Sequence, residues 1–361
     1  MKSVQFFAAI AALGLAAGLS ACSGSGSNNS TLPALVDVVR NQPSALRFTN
    51  ERIKIKQFAD LPTGSSNYYV PSSIASGPER SLWVTDEIDQ DYGENAVVQI
   101  ATSGRPLKTF FYGGVSTEGS SLLDIVEGPD GALWMTDYYN SQILRMTTDG
   151  TFTGYKLSAP PISITVGPDK ALWFTQYGAV GRITTHGKIT TYAASGGDED
   201  IAAGSDGALW FTELTANAIG RITTHGKIRV FTKGITGGAG PYEIAAGPDG
   251  ALWFTESTGG RVGRITTRGK VTEYAHGITS GEVPSGIAAG PDGALWFTEY
   301  EVYESNDIRD SKIGRITTSG QISQYSKGLA GSAQPTDIVT GPDGNMWFVE
   351  SSINRTGRAQ L

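Results

Sequence analysis

The sequence predicts an all-β protein, a seven-bladed β-propeller with four-stranded blades, and three observations support this fold. Seven tryptophans recur in one repeating unit, at intervals that run from 37 residues (Trp173 to Trp210) to 51 residues (Trp83 to Trp134). Each unit holds four short β-type segments separated by turn residues. The last unit lacks its fourth segment, and a segment of that kind precedes the first tryptophan. We therefore expect the N-terminal strand to complete the last blade.

The clearest repeat runs from Pro284 to Tyr325 and shows the four strands in order. We predict strand A at 287–289, strand B at 294–299, strand C at 312–318 and strand D at 321–325. Gly-Pro-Asp-Gly between strands A and B has the chemistry of a tight turn, because proline presets φ and glycine accepts a positive φ. Small residues in strand A suit the convergence of strands on one axis, and the tryptophan of strand B suits the wider gap between blades.

The ring is expected to close through residues 51–58, which have the alternation and length of the other D strands. The last unit supplies strand A at 336–339, strand B at 346–350 and a C-like segment at 355–360, and no strand D follows. Pairing the N-terminal segment with this unit would remove two open sheet edges. The propeller is therefore predicted over residues 51–361.

The first 50 residues are expected to lie outside the propeller. Lys2 and the apolar run from Val4 to Leu19 have the layout of a secretory signal, and the run is short for a membrane span. Leu19-Ser20-Ala21-Cys22 resembles a bacterial lipobox, which implies cleavage before Cys22 and lipidation of its sulfur. The alternative is an ordinary signal peptide with an incidental cysteine.

On the lipobox interpretation, residues 1–21 are a lipoprotein signal peptide, and residues 22–50 are the lipidated cysteine and a flexible tether. The protein would then be extracytoplasmic, in the cell envelope, and anchored by lipid to a bacterial membrane, the outer membrane in a Gram-negative cell. We expect a monomer that contacts the membrane through this anchor only.

Composition excludes several classes of protein. Thirty-five acidic residues against 28 basic ones, a net charge of −7 and the lack of a basic run argue against nucleic acid binding. A hydrophobic fraction of 39% is too high for a disordered chain. A single cysteine excludes a disulfide scaffold and a cysteine-rich zinc site.

The repeated unit G-P-D-G-A-L-W-F-T-E, followed by I-G-R-I-T-T-x-G-K-I, resembles the virginiamycin B lyase (streptogramin lyase) family of seven-bladed propellers across residues 51–361. The resemblance implies ring opening of streptogramin B antibiotics by elimination across the ester bond, assisted by a divalent metal such as Mg²⁺. It also implies catalytic histidines in Pro-His-Gly-Ile or Pro-His-Ala-Ile motifs, at the start of the inner strands of the last two blades.

Those two motifs carry Ser285 and Thr336 at the histidine position of this chain. The equivalent positions of the other five blades are Ser72, Leu123, Ile162, Glu199 and Tyr242. Elimination needs a base beside the acidic proton, and neither serine nor threonine replaces imidazole near neutral pH. The three histidines, His186, His225 and His276, fall in predicted surface loops. The catalytic residues are therefore unknown, and little or no lyase activity is expected.

Two sets of acidic residues lie at the predicted opening of the propeller. The starts of strands A supply Asp124, Glu199, Asp200, Glu243 and Asp337, which with Tyr242 are the candidate residues of a ligand-binding funnel. The ends of strands B supply Asp86, Asp137, Glu213, Glu256, Glu299 and Glu350, which we expect to pair with Arg145, Arg182, Arg221, Arg264 and Arg315 on strands C. The strand A acids have no such recurring partner. Carboxylates that share a funnel bind a cation or raise their own pKa values, so Glu243 and Asp337 are the candidate ligands for Mg²⁺.

Three classes of function fit the sequence. The first is a lipid-anchored propeller that binds an unidentified small molecule or peptide in its funnel without catalysis. The second is a metal-assisted carbon–oxygen lyase on streptogramin B or a related ester, with a glutamate or tyrosine as the base. The third is a structural protein of the envelope. We favour the first, because the scaffold is regular although the histidine pair is missing, and propellers host many unrelated functions.

Overall fold

The computed structural model describes residues 53–58, 61, 69–88, 94–113, 121–194, 199–302 and 308–361. The predicted signal peptide, Cys22 and tether lie outside these residues. The described chain forms seven four-stranded antiparallel sheets, which confirms the predicted seven-bladed propeller. No helix within it is long and apolar enough to cross a membrane.

Strand β1 (Lys54–Gln57) comes first in the chain, and the blades then follow one another. Blade 1 comprises β2 (Tyr69–Gly77), β3 (Ser81–Ile88), β4 (Glu94–Ile100) and β5 (Pro106–Gly113). Blade 2 comprises β6 (Leu122–Glu127), β7 (Leu133–Asp137), β8 (Gln142–Met146) and β9 (Phe152–Lys156). Blade 3 comprises β10 (Pro161–Val166), β11 (Leu172–Gln176), β12 (Ala179–Ile183) and β13 (Ile189–Ala193).

Blade 4 comprises β14 (Ile201–Ala203), β15 (Ala208–Glu213), β16 (Ala218–Thr223) and β17 (Ile228–Phe231). Blade 5 comprises β18 (Pro241–Ala246), β19 (Leu252–Glu256), β20 (Arg261–Ile265) and β21 (Val271–Tyr274). Blade 6 comprises β22 (Glu282–Ala289), β23 (Ala294–Val302), β24 (Ile308–Thr317) and β25 (Ile322–Tyr325). Blade 7 comprises β26 (Pro335–Thr340), β27 (Met346–Glu350) and β28 (Arg355–Gln360), together with β1. Two 3₁₀ turns, Pro78–Arg80 and Ser351–Ile353, complete the described elements.

Within each blade the four strands, A to D, run outwards from the centre and alternate in direction. The A–B and C–D turns therefore lie at one end of the propeller, which we call the turn face. The starts of strands A and the ends of strands B lie at the other end, which we call the funnel face. In blade 6 strands β23 and β24 are longer than predicted, because their pairing continues on the funnel face as far as Val302 and Ile308.

The N-terminal strand closes the ring, as predicted. Strand β1 pairs antiparallel with β28, from Lys54 opposite Gln360 to Gln57 opposite Gly357. Phe58 then stacks on Trp347 with ring centroids 4.9 Å apart, and its N–H donates to the carbonyl of Thr356. Every described strand of the ring thus lies within residues 54–360, and so does the buried hydrophobic core of the described residues.

The seven tryptophans are fully buried, and the A–B turn holds them in place. In blade 2 the indole N–H of Trp134 donates to Asp130 over 3.0 Å, and Arg145 Nε donates to the same carboxylate over 2.7 Å. The guanidinium also lies over the Trp134 ring, 6.0 Å from its centroid. Blades 3 to 7 repeat this Trp–Asp–Arg arrangement.

The prediction that the strand C arginines pair with the strand B acids was therefore wrong. Their partners are the turn aspartates, in the pairs Arg145–Asp130, Arg182–Asp169, Arg221–Asp206, Arg264–Asp249 and Arg315–Asp292. The reason is the register of the antiparallel strands. Arg145 lies opposite Trp134, near the turn face, whereas Asp137 lies opposite Gln142 at the other end of the strand.

The glycine of the I-G-R-I motif makes room for a large side chain on the neighbouring strand. In blades 3 to 7 a buried phenylalanine of strand B lies opposite a glycine of strand C, as Phe174 lies opposite Gly181. A Cβ atom on Gly181 would lie 2.0 Å from the Phe174 ring. Blades 1 and 2 fill the same space with two medium-sized side chains, Val84 with Val98 and Met135 with Leu144. The same space in the core is thus filled either by a phenylalanine opposite a glycine or by two medium-sized side chains.

Candidate functional site

A cavity of about 190 Å³ lies where the seven inner strands begin, on the funnel face. Each inner strand carries a buried isoleucine, and the two residues before it form two rings. The first ring consists of Ser72, Leu123, Ile162, Glu199, Tyr242, Ser285 and Thr336, and the second ring of Ser73, Asp124, Ser163, Asp200, Glu243, Gly286 and Asp337. All of these except Gly286 line the cavity, with Tyr138, Tyr177 and Ile287. The structure therefore brings together all six of the predicted funnel residues.

A β-bulge turns these side chains towards the centre. In blade 3 Pro161 pairs with Gln176 and Ile164 with Phe174, and the register shifts between them. Thr175 compensates for the interrupted ladder, because its hydroxyl accepts from the Ser163 N–H and donates to the carbonyl of Glu199 in the next blade. Threonines at the same position accept from the second-ring N–H in blades 1, 2, 4, 5 and 6. The threonine hydroxyl thus satisfies a backbone N–H beside the bulge, and the bulge in turn shapes the cavity.

Second-ring carboxylates join neighbouring inner strands. Asp124 accepts from the N–H of Ile125 in its own strand over 2.7 Å, and from the N–H of Ile164 in the next blade over 2.7 Å. Asp200, Glu243 and Asp337 accept in the same way from Ile244, Ile287 and Ile74 of the following blades. These four strand A acids thus have recurring partners of another kind than the arginines considered for the strand B acids. Their partners are backbone amides of other repeats, which no spacing within one repeat reveals.

Two serines link three of the aspartates into a chain. Ser73 Oγ lies 2.7 Å from Asp337 Oδ2 and 3.1 Å from Asp124 Oδ1. Ser163 Oγ lies 2.9 Å from Asp124 Oδ2 and 2.6 Å from Asp200 Oδ1. A serine hydroxyl has one hydrogen to donate. The second contact of each serine is therefore a hydrogen bond only when the carboxyl on that side carries a proton.

The electrostatics of these aspartates agree with bound protons. Burial, together with the charge of Asp124, raises the pKa of Asp200 to about 7. The same two causes raise the pKa of Asp337 to about 6, and burial raises the pKa of Asp124. Burial and the charges of Asp337 and Asp200 raise the pKa of Glu243 well above its usual range. The floor of the cavity thus holds fewer negative charges near neutral pH than its composition suggests.

Glu199 differs from the other acids of the cavity. Its carboxylate makes no hydrogen bond with the described residues, whereas each second-ring carboxylate accepts a backbone N–H. Burial alone raises the pKa of Glu199 to about 7. Its charge also contributes to raising the pKa values of Tyr138 and Tyr242. A carboxyl of this pKa, facing a cavity, suits proton transfer or a hydrogen bond to a ligand.

Hydrogen bonds engage part of the candidate Mg²⁺ ligands, Glu243 and Asp337. Asp337 Oδ2 accepts from Ser73 Oγ and from the Ile74 N–H, and Oδ1 accepts from the Ile338 N–H. Glu243 Oε2 accepts from the Ile287 N–H. These bonds occupy three of the four lone pairs of Asp337, whereas Glu243 Oε1 makes no hydrogen bond with the described residues. Among the described residues, no group of three or more His, Cys, Asp or Glu side chains is placed to hold a metal ion.

The positions at which the resemblance implies histidines carry small hydroxyl side chains at the cavity. Ser285 is buried, and its carbonyl accepts from the Thr255 hydroxyl over 2.7 Å. Thr336 Oγ1 lies 2.8 Å from Ser351 Oγ. The three histidines lie elsewhere and are exposed, as expected: His186 and His225 in C–D turns on the turn face, and His276 between blades 5 and 6.

The acids at the ends of strands B are buried and do not line the cavity. Three of them accept from amides of strands C and D, whereas Glu256 lies 3.9 Å from Arg261 of strand C. Gln57 donates to Glu350 over 2.7 Å, Gln324 to Glu299 over 2.6 Å, and Gln142 to Asp137 over 2.7 Å. Sequence reasoning also missed Ser73 and Ser163 as cavity residues. The signal was present, since both directly precede the strand A isoleucine.

Comparisons with known proteins agree with this geometry. The model of the virginiamycin B lyase family matches residues 57–276 and 194–361. A streptogramin B lyase structure is 32% identical, with a TM-score of 0.72, over 86% of this chain and 98% of that one. The selenomethionine virginiamycin B lyase from Staphylococcus aureus is also 32% identical, with a TM-score of 0.73, over 86% of this chain and 99% of that one.

A catalytically inactive His-to-Ala variant of the Staphylococcus aureus enzyme, in a structure with quinupristin, is 32% identical with a TM-score of 0.72, over 86% of this chain and 99% of that one. The WD40 propeller of Doa1, at 12% identity and a TM-score of 0.65 over 85% of this chain and 97% of that one, shares the fold alone. No curated protein matches the sequence. The family model matches most of the chain, and the three solved relatives are 32% identical to it over 98–99% of their own length. The chain therefore belongs to the virginiamycin B lyase family.

Proposed function

We propose that the protein is a lipid-anchored, extracytoplasmic binding propeller, which takes a ligand in its cavity and does not open streptogramin B rings. One observation carries this proposal: Ser285 and Thr336 line the cavity at the positions where the family resemblance implies catalytic histidines. The solved relative in which a histidine is replaced by alanine is described as catalytically inactive. A chain with no imidazole at either position lacks the base that the resemblance implies for the elimination.

The lining of the cavity indicates the chemistry of the ligand. It combines carboxyl groups, hydroxyl groups and tyrosines with Leu123 and Ile162, and it includes no lysine, arginine or histidine among the described residues. Such a surface favours a small molecule or peptide end with a positive charge or several hydrogen-bond donors, next to an apolar group. A cationic ligand would favour the charged form of Glu199, so its binding would release protons and become tighter as the pH rises from 5 to 8.

The test of the catalytic part is incubation of residues 23–361 with quinupristin and Mg²⁺, followed by mass analysis of the antibiotic. We expect intact quinupristin under conditions in which a family lyase with both histidines linearises it. Isothermal titration of the same mixture measures binding independently. Linearised product at enzyme-like rates would overturn the proposal.

The second candidate function is the elimination itself, with Glu199 as the base. The observation that favours it is the free carboxylate of Glu199 with its pKa of about 7, a value suited to a general base. If product forms, Glu199→Gln distinguishes the two functions. A loss of product of about 10²-fold or more would establish a histidine-free lyase, and unchanged product formation would exclude Glu199 as the base.

The anchoring part of the proposal is tested separately through Cys22. We expect Cys22→Ser to move the protein out of the detergent-soluble membrane fraction, into a soluble or unprocessed form. The control is the wild-type chain expressed in the same cells. Identical fractionation of the two would show that Cys22 carries no lipid.

A further inference from the structure

The turn face of blades 3, 4 and 5, which follow one another in the ring, carries a group of exposed basic side chains. The C–D turns of these blades share the sequence Thr-Thr-x-Gly-Lys, with a histidine or arginine at x. Together with the A–B turn of blade 3 they supply Lys170, His186, Lys188, His225, Lys227, Arg268 and Lys270, which we call the basic patch. All seven side chains are exposed, and none of them has an ion-pair partner among the described residues.

The turn carboxylates of these three blades do not neutralise this patch. In the same three blades the turn carboxylates Asp169, Asp206 and Asp249 are each bound at 2.7 Å by a strand C arginine that is not part of the patch. Each of these pairs is neutral as a unit. Five permanent positive charges therefore remain on one side of a chain whose net charge is −7, while the cavity acids lie on the opposite face.

The N-terminal segment leaves the propeller from the same face. Strand β1 begins at Lys54, opposite Gln360 at the end of β28, and strands C end on the turn face. Roughly 30 residues separate Cys22 from β1, and a flexible tether of that length, as composition predicts here, averages about 30 Å from end to end. A lipid at Cys22 would hold the turn face, and not the funnel face, near the membrane.

We propose that the basic patch binds the surface of a bilayer that contains anionic phospholipids, so that the funnel face points away from the membrane with its cavity open to ligand. The choice of a membrane as the partner rests on the proposed anchoring. The anchor brings the surface close, and the patch sets the orientation. Each lysine or arginine near an anionic leaflet strengthens binding about 5-fold, within a Debye length of about 8 Å at physiological salt.

The experiment measures how much of a fragment, residues 51–361, sediments together with lipid vesicles. The fragment contains every described strand of the closed ring and lacks Cys22. Vesicles with phosphatidylglycerol in phosphatidylcholine are compared with pure phosphatidylcholine at low salt. We expect binding to the anionic vesicles only, and weaker binding as salt is added. Lys188→Glu with Lys227→Glu should lower the binding constant by at least about 25-fold, since two positive charges are lost.

The matched control is Lys233→Glu with Lys327→Glu, which makes the same change in net charge at exposed lysines of the loops on the funnel face. We expect this control to keep wild-type binding, and thermal melting of both variants checks that they fold. Equal loss of binding in the two variants, or no preference of the wild type for anionic vesicles, would overturn the proposal. Because the fragment lacks Cys22, its binding is independent of the fractionation test, so the patch and the anchor can fail separately.

Discussion

Glu213 is a buried acid with no hydrogen-bond partner in the part of the chain that the structure describes, and one substitution in strand D of its blade should supply one. Glu213 is fully buried, and neither of its carboxylate oxygens has a hydrogen-bond partner among the described residues. In blades 6 and 7 the equivalent acids accept from a glutamine of strand D that lies opposite the strand C glycine, such as Gln324 opposite Gly314. In blade 4 this position is Val230, opposite Gly220. We predict that Val230→Gln stabilises the protein.

The magnitude follows from two opposing effects. An unsatisfied buried polar group costs about 1–3 kcal/mol, and ordering a glutamine side chain costs up to about 2 kcal/mol. The expected net gain is about 1 kcal/mol, or about 2 °C in Tm for a ring of this size. Burial raises the pKa of Glu213, so the group is protonated in the folded state at low pH. The amide N–H stabilises the carboxylate form in particular, so the gain should be larger at pH 8 than at pH 5.

The assay is thermal unfolding of wild type and Val230→Gln at both pH values, followed by tryptophan fluorescence. The matched control is Thr191→Gln, which makes the same substitution at the equivalent strand D position of blade 3, where strand B ends in the uncharged Gln176. A stabilisation by Val230→Gln no greater than that by Thr191→Gln, or one that does not grow with pH, would refute the reasoning.

Three further predictions concern the ring as a whole. Glu199 and Asp200 have pKa values raised to about 7, from 4.5 and 3.8. The stability that these groups contribute is therefore complete below about pH 4 and is lost as the pH rises to about 7. Tm should fall between pH 5 and pH 8, and a rise in Tm over that range would contradict these shifts. Gly286→Ala should lower the free energy of unfolding in urea by about 1–3 kcal/mol, because the new Cβ would lie 2.5 Å from the Thr336 carbonyl oxygen. The control is Gly331→Ala, where the nearest neighbour of the new Cβ is 3.7 Å away, and it should lower that free energy by less than about 1 kcal/mol. Deletion of residues 51–58 should open the ring and lower stability by at least about 3–5 kcal/mol, the usual cost of losing one buried phenylalanine; an unchanged calorimetric Tm would show that β1 does not close the ring.

Much of the fold could be predicted because each blade repeats its own short-range rules. Two of the signals, the tryptophan of strand B and the Gly-Pro-Asp-Gly turn, lie within a single blade. The third, the alternation of residues 51–58, matches the strand that the last unit lacks. The seven blades and the closing strand predicted from these signals are confirmed. The cavity could also be located, because the starts of strands A must meet at one end of the propeller. The longer β23–β24 pairing was missed, since its polar sequence has the composition of a loop.

The partners of the charged side chains could not be predicted in the same way. Arg145 and Asp137 lie on neighbouring strands, and only the register shows that the arginine meets Asp130 instead. Asp124 finds its second partner in the next blade, at the N–H of Ile164, and a backbone amide leaves no mark in the sequence. Distances between repeats depend on how the blades pack, so the difference between a free carboxylate and a bonded one appears only in three dimensions.

The closing of the ring by β1 also determines the order in which the chain can mature. Strand β1 is synthesised before any blade, and its partner β28 is synthesised last. Until then blade 7 cannot form, and blades 1 and 7 keep unpaired surfaces that are prone to association with other chains. Bringing β1 and β28 together closes a loop of about 300 residues, at an entropic cost of about 5 kcal/mol. Insertion of this one strand is therefore the step on which refolding of the whole ring depends, and dilution should favour it over aggregation.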